Sequence, residues 1–125
     1  MLRWADWLGQ AKAELSAAEW LLEGDRHAWC CFTCQQSAEK ALKALLDRHG
    51  IVRPGHDMLA LLSQLAITDQ AISAAARRLN CYEVATRYPD IHPSGVPAEQ
   101  YHREDAQSAL EDARAILDFA HQRLS

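Results

Sequence analysis

No stretch of the 125 residues is apolar over anything near the roughly 20 positions that a helix needs to cross a bilayer, so a helical membrane span is not expected. The opening residues, Met1-Leu2-Arg3-Trp4-Ala5-Asp6, lack the charged-then-apolar form of an export signal, and a cytoplasmic protein is expected. Basic charge is also short. Thirteen Lys and Arg against seventeen Asp and Glu leave a net charge of -4, which argues against a protein that coats nucleic acid through many phosphate contacts. A local basic site stays compatible with that balance. There is no Gly-rich phosphate loop, no G-x-S-x-G elbow and no H-E-x-x-H pair, so most enzyme classes lose their footing. Alternating strand patterns and internal repeats are missing as well. The four cysteines, in a chain expected to stay in a reducing compartment, imply thiols rather than disulfides.

What is present is helical. Apolar residues make up 49% and charged residues 24%, the balance of a folded chain, and the length suits a single domain over residues 1–125. Trp4, Trp7, Leu8, Ala11, Leu15, Ala18 and Leu22 recur at steps of three and four, which predicts a first helix ending at Gly24. Asp25 is the expected N-cap of a long second helix, with Ala28, Cys31, Cys34, Ala38, Leu42, Leu45 and Leu46 on one side and Gly50 at its end. Ile51 to Gly55 contains Pro54 and reads as a loop. His56 and Asp57 then open a short helix of Met58, Leu59, Leu61, Leu62 and Leu65. Thr68 or Asp69 caps a fourth, with Ile72, Ala75, Leu79 and Tyr82 inward, which must stop before Pro89. After a loop stiffened by Pro89, Pro93 and Pro97, a final helix is predicted from about Ala98. The expected architecture is all-α, an antiparallel bundle of four main helices plus one short helix.

The run Cys31-Phe32-Thr33-Cys34-Gln35-Gln36-Ser37-Ala38-Glu39-Lys40-Ala41-Leu42-Lys43-Ala44-Leu45-Leu46 resembles the second-helix signature of HEPN domains, in which Gln-Gln, Glu-Lys and Leu-Lys follow a small residue and Phe. Three further pieces fall in that family's order: a first helix rich in Trp and Ala, His56-Asp57 before a Leu-rich helix, and Arg87-Tyr88-Pro89-Asp90 before an Ala-rich last helix. The resemblance implies a dimerising bundle, often paired with a minimal nucleotidyltransferase as toxin and antitoxin, with nucleotide or RNA as ligand. Some members are metal-independent ribonucleases. Those carry Arg-x(4 to 6)-His, the arginine holding phosphate and the histidine moving protons as a ribose 2′-hydroxyl attacks phosphorus.

Arg87 and His92 fit that spacing, so they are the candidate catalytic pair. Arg114 and His121 fit it too, but they lie seven residues apart in a helix and read as a solvated face. Where nuclease members keep a small polar residue after the arginine, this chain has Tyr88-Pro89, a departure that favours a binding module over a nuclease. Both readings stay open. Candidate nucleotide or RNA contacts are Arg87, Tyr88, Asp90, His102, Arg103, Gln35, Glu39 and Lys43. Glu39 and Lys43 are also an ordinary i,i+4 pair, whereas Gln35 falls inside the apolar stripe and must find a partner either within the bundle or across a dimer. Trp29, Phe32 and Ala44, away from the main stripe, suggest a homodimer. His27 with Cys31 and Cys34 has a metal-like spacing, but structural zinc takes two ligand pairs, so neither metal nor other cofactor is expected.

Overall fold

The computed structural model describes residues 2–52 and 54–124; Arg53, within the loop expected over 51–55, lies outside the described residues. The elements are α1 (Trp4–Glu23), α2 (His27–Arg48), α3 (Met58–Gln64), α4 (Gln70–Asn80), α5 (Tyr82–Ala85) and α6 (Arg103–Leu124), with single 3-10 turns at Pro89–Ile91 and Pro97–Glu99. No strand occurs among the described residues.

Helix α2 is the axle of the bundle. It packs against α1 and α6, with α3, α4 and α5 completing its cover. Ser37 Oγ donates to the Ala11 carbonyl at 2.6 Å, Lys43 lies over the Trp7 ring and the Arg3 N–H donates to the Asp47 carboxylate, so rising numbers on α2 meet falling numbers on α1 and the hairpin is antiparallel; Lys40 adds an ion pair to Glu14 at 2.8 Å. Helix α6 runs beside α2 in the same direction: Cys30 lies against the Ala106 carbonyl near one end, and His49 and Arg123 line one hollow at the other. Close approach depends on small side chains. Ala11, Ala18, Ala38, Ala41, Ala44, Ala106, Ala113 and Ala120 are all completely buried. Larger residues, Leu42, Leu45, Leu46, Met58, Leu61, Leu79, Leu110 and Ile116, fill the space between crossings.

Three helices end in one way. At the end of α1, Asp25 N–H bonds to Leu22 O and Arg26 N–H to Leu21 O; at the end of α2, Gly50 N–H bonds to Asp47 O and Ile51 N–H to Leu46 O. At the end of α3, Ala66 N–H bonds to Ser63 O and Ile67 N–H to Leu62 O. Each is a Schellman stop with its pivot in the left-handed region, Asp25 at φ 56°, Gly50 at 72° and Ala66 at 55°. Asp25 therefore closes α1 instead of capping α2, a correction to the sequence expectation: its backbone is consumed by the stop, and Arg26 precedes α2 with no side-chain cap.

Asp57 and Asp69 do cap their helices, Asp57 accepting from Leu59 and Ala60 N–H and Asp69 from Ile72 N–H. The expected fourth helix is divided at Cys81 into α4 and α5, and Thr86 Oγ bonds back to the Tyr82 carbonyl just before the chain leaves helical geometry. Tyr88 is extended at φ -118°, ψ 122°, as the ring of Pro89 demands. The last helix begins at Arg103 and not near Ala98. Residues Pro97–Glu99 form a separate turn, and Asp105 reaches back to the His102 N–H at 2.8 Å, which sets the helix start.

Ala66 and Gly50 occupy equivalent pivots, and a Cβ built on Gly50 meets nothing within 4 Å, so conformation alone separates them. Ala66→Gly is expected to raise the unfolding free energy by about 0.5–1 kcal/mol and Gly50→Ala to lower it by about 1 kcal/mol. Urea titration followed by circular dichroism measures both, and equal effects of like sign would refute the assignment of these stops.

Candidate functional site

Arg87 leaves the end of α5 and folds back over it. Its Nε donates to the Glu83 carbonyl at 3.0 Å, Nη2 donates to the same carbonyl, and Nη2 lies 3.5 Å from Glu83 Oε1. The guanidinium plane covers the Phe32 ring at 4.2 Å and approaches the Tyr88 ring at 5.3 Å. Phe32 in turn meets Trp29 edge to face at 6.0 Å. Trp29, Tyr88 and Ile91 are about half exposed, so Arg87 sits within an apolar, aromatic surface. Ala44, by contrast, is fully buried inside the bundle and adds nothing to that surface, which corrects its place in the dimer expectation.

His92 faces inward. Its Nε2 is 2.6 Å from the Ala85 carbonyl, an oxygen that can only accept, so Nε2 carries a proton and donates it there. The ring stands edge-on to Tyr101, which stands edge-on to Tyr82. Burial raises the hydroxyl pKa of both tyrosines, keeping them neutral donors. Asp90 is exposed in the 3-10 turn beside this loop. His102 starts α6 with an exposed side chain, and Arg103 points to Asp25 at 3.6 Å, towards the α1–α2 turn and not towards Arg87.

The helix-two residues form their own cluster. Gln35 and Glu39 are buried. Gln35 Nε2 donates to Glu39 Oε1 at 3.1 Å and its own oxygen accepts from Gln36 Nε2 at 2.7 Å, so the amide is satisfied within the bundle. Glu39 Oε2 lies 3.3 Å from Lys43 Nζ, and Oε1 lies 2.8 Å from His56 Nδ1. Across the ring, His56 Nε2 is 4.0 Å from Glu83 Oε1. Two candidate groups that are distant in sequence, the Gln35-Glu39-Lys43 cluster and Arg87, are thereby linked through His56 and Glu83. Sequence reading assigned His56 to a helix start and gave Glu83 no role; the i,i+4 spacing of Glu83 and Arg87 was the one local signal available.

The cysteines do not converge with His27. His27 Nε2 turns to Asp25 Oδ1 at 3.5 Å, Cys30 faces the Ala106 carbonyl, and among the described residues no three His, Cys, Asp or Glu side chains come together around a common point. Burial pushes the Cys31 thiol up to about 12, and Cys34 is raised by its hydrogen bond to Cys30 and by burial. Cys81 is exposed.

A family model described as HEPN domain matches residues 4–124, and the chain belongs to that family. Among solved structures, TT1696 from Thermus thermophilus is 42% identical, with 98% of each chain covered and a TM-score of 0.94. ST0689, an archaeal HEPN homologue, is 34% identical over the whole of both chains with a TM-score of 0.88. A HEPN domain protein of Thermotoga maritima is 30% identical, covering 95% of this chain and 97% of that one, with a TM-score of 0.77. "Putative toxin MJ1304" of Methanocaldococcus jannaschii is 27% identical over 121 residues, 87% of this chain and 80% of its own length.

The thiol environments give a direct check. In the native protein at neutral pH one thiol, Cys81, is expected to react promptly with Ellman's reagent and all four after denaturation: burial suppresses the thiolate at Cys31 and Cys34, and Cys30, whose thiol is lowered by its hydrogen bond with Cys34, is fully buried and out of the reagent's reach. Prompt release equivalent to two or more thiols, or a Cys81→Ser protein that still reacts promptly, would contradict this placement.

Proposed function

We propose that this chain is a HEPN-type nucleotide- or RNA-binding module, acting as a cytoplasmic homodimer beside a minimal nucleotidyltransferase partner in a toxin–antitoxin-like pair. Residues 1–125 act as one unit in this reading. The observation that carries it is the contrast between Arg87 and His92. Arg87 is anchored on the Glu83 carbonyl and spread over Phe32 and Tyr88, a preorganised guanidinium at the surface. His92 spends its Nε2 proton on the Ala85 carbonyl, which supports a role in holding the loop over one in proton transfer. The half-exposed Trp29, Tyr88 and Ile91 around Arg87 suit a second copy, whose own Arg87 would be brought to the same face. The toxin name of the Methanocaldococcus jannaschii relative supports the paired reading.

The competing reading is a metal-independent ribonuclease in which Arg87 binds phosphate and His92 transfers the proton through Nδ1. The module reading expects a dimer by light scattering at micromolar concentration, binding of ATP or single-stranded RNA that weakens about tenfold or more in Arg87→Ala, and RNA left whole without added metal. Metal-independent cleavage leaving a 2′,3′-cyclic phosphate, and lost in His92→Ala with circular dichroism unchanged, would establish the nuclease instead.

A further inference from the structure

Glu39 is a charge in the wrong place for a simple bundle. Its side chain is 3% exposed on the central helix, where an apolar residue would pack without needing partners. Three donors satisfy it: the Gln35 amide, Lys43 and His56 Nδ1. Two of these belong to α2 itself. The third is a half-exposed imidazole from the loop before α3, and the bond at 2.8 Å sets the orientation of that ring. With Nδ1 turned to Glu39, Nε2 faces outward to Glu83 Oε1.

That same oxygen faces Arg87 Nη2. One ring nitrogen comes from the α2–α3 connection and one guanidinium nitrogen from the end of α5, and both face a single carboxylate oxygen; with Nδ1 donating to Glu39, Nε2 is a second donor only on a ring protonated at both nitrogens. The separations, 4.0 Å and 3.5 Å, are longer than the roughly 2.8 Å of a good charge-assisted bond, so Glu83 occupies the position without filling it. A phosphate carries more charge and more acceptor oxygens than a carboxylate and is not tethered by a short side chain.

Building on the binding reading of Arg87 above, we propose that His56, carrying a proton on both ring nitrogens when the ligand is bound, and Arg87 form a phosphate-binding pair for a nucleotide or RNA phosphate, that Glu39 is the residue positioning His56, and that Glu83 is an internal competitor displaced by the incoming phosphate. Arg87 keeps its Nε bond to the Glu83 main-chain carbonyl in both states, so displacement of the Glu83 side chain leaves the guanidinium anchored. Lys43, paired with the other Glu39 oxygen, holds that carboxylate in place while His56 engages the ligand.

The opposite signs expected from neighbouring residues make the proposal testable. Binding of ATP and of a short single-stranded oligoadenylate to the full-length protein is measured by calorimetry or fluorescence anisotropy. Glu83→Gln is expected to tighten binding about three- to tenfold, His56→Ala to weaken it about tenfold, and Glu39→Gln to weaken it less, each with a cooperative melt. Long-range nitrogen NMR supplies a readout that a merely structural role would not move: His56 Nε2 should take the shift of a protonated ring nitrogen on adding ligand, and the Nδ1 and Nε2 shifts should change in Glu39→Gln before any ligand is added. Tightening confined to ATP identifies the phosphates of a free nucleotide as the ligand, and tightening confined to the oligoadenylate identifies the RNA backbone. If Glu83→Gln binds no tighter while Arg87→Ala still weakens binding, the competitor role falls and the module reading survives. If Arg87→Ala changes nothing, or neither probe binds the unaltered protein, both fall together.

Discussion

Everything in this bundle depends on how closely two long helices can approach a third. Helix α2 is covered along most of its circumference, and its buried positions include alanine, serine and cysteine beside Leu42, Leu45 and Leu46. A helix with bulky residues all round would hold its partners apart and leave voids, and cores tolerate voids poorly. The same constraint explains Ser37: its hydroxyl is small enough for the α1 crossing and finds the Ala11 carbonyl there, so burial leaves no unsatisfied group.

That crowding limits where a polar side chain on α2 can find partners. Towards α1 the polar partners are the Ala11 carbonyl for Ser37 and Glu14 for Lys40, and towards α6 the Ala106 carbonyl for Cys30. Gln35 and Glu39 instead open towards the end of the bundle where the α2–α3 connection passes, and His56 comes down onto Glu39 from that connection. The short helices matter for this reason. Asn80 binds both the Asp57 carboxylate and the Met58 N–H, fixing the start of α3 against the end of α4, and beyond Cys81 Glu83 faces His56 while Arg87 covers Phe32. The irregular middle of the chain thus places the groups with chemistry, while the long helices supply the rigid frame.

Helix existence, the Asp57 helix start, a cap at Thr68 or Asp69, of which the structure uses Asp69, and the non-helical geometry at Tyr88 were legible because each depends on residues within one turn of one another. The misreadings share a different cause. Asp25 looks like an N-cap by residue type, but a hydrogen-bonded stop for α1 claims its backbone first, and aspartate tolerates the left-handed geometry that stop requires. The last helix starts at Arg103 because Asp105 bonds the His102 N–H, whereas composition alone makes the preceding Pro-Ala-Glu look like a helical first turn.

By itself the sequence determined the all-α class, the family signature on α2 and the positions of Arg87, His92, Gln35 and Glu39, since periodicity and short motifs report which residues share a helix face. Only the tertiary structure decided what those residues touch. His56 is 17 positions from Glu39 and lies in a different element from Glu83, so no local pattern relates His56 to either carboxylate; only the i,i+4 step from Glu83 to Arg87 is local. It also decided between two equivalent nitrogens: His92 turned its Nε2 to a backbone carbonyl and His56 turned its Nδ1 to a buried carboxylate. Hydrogen-bond direction belongs to the space around a ring, and that space exists only once separate segments have packed.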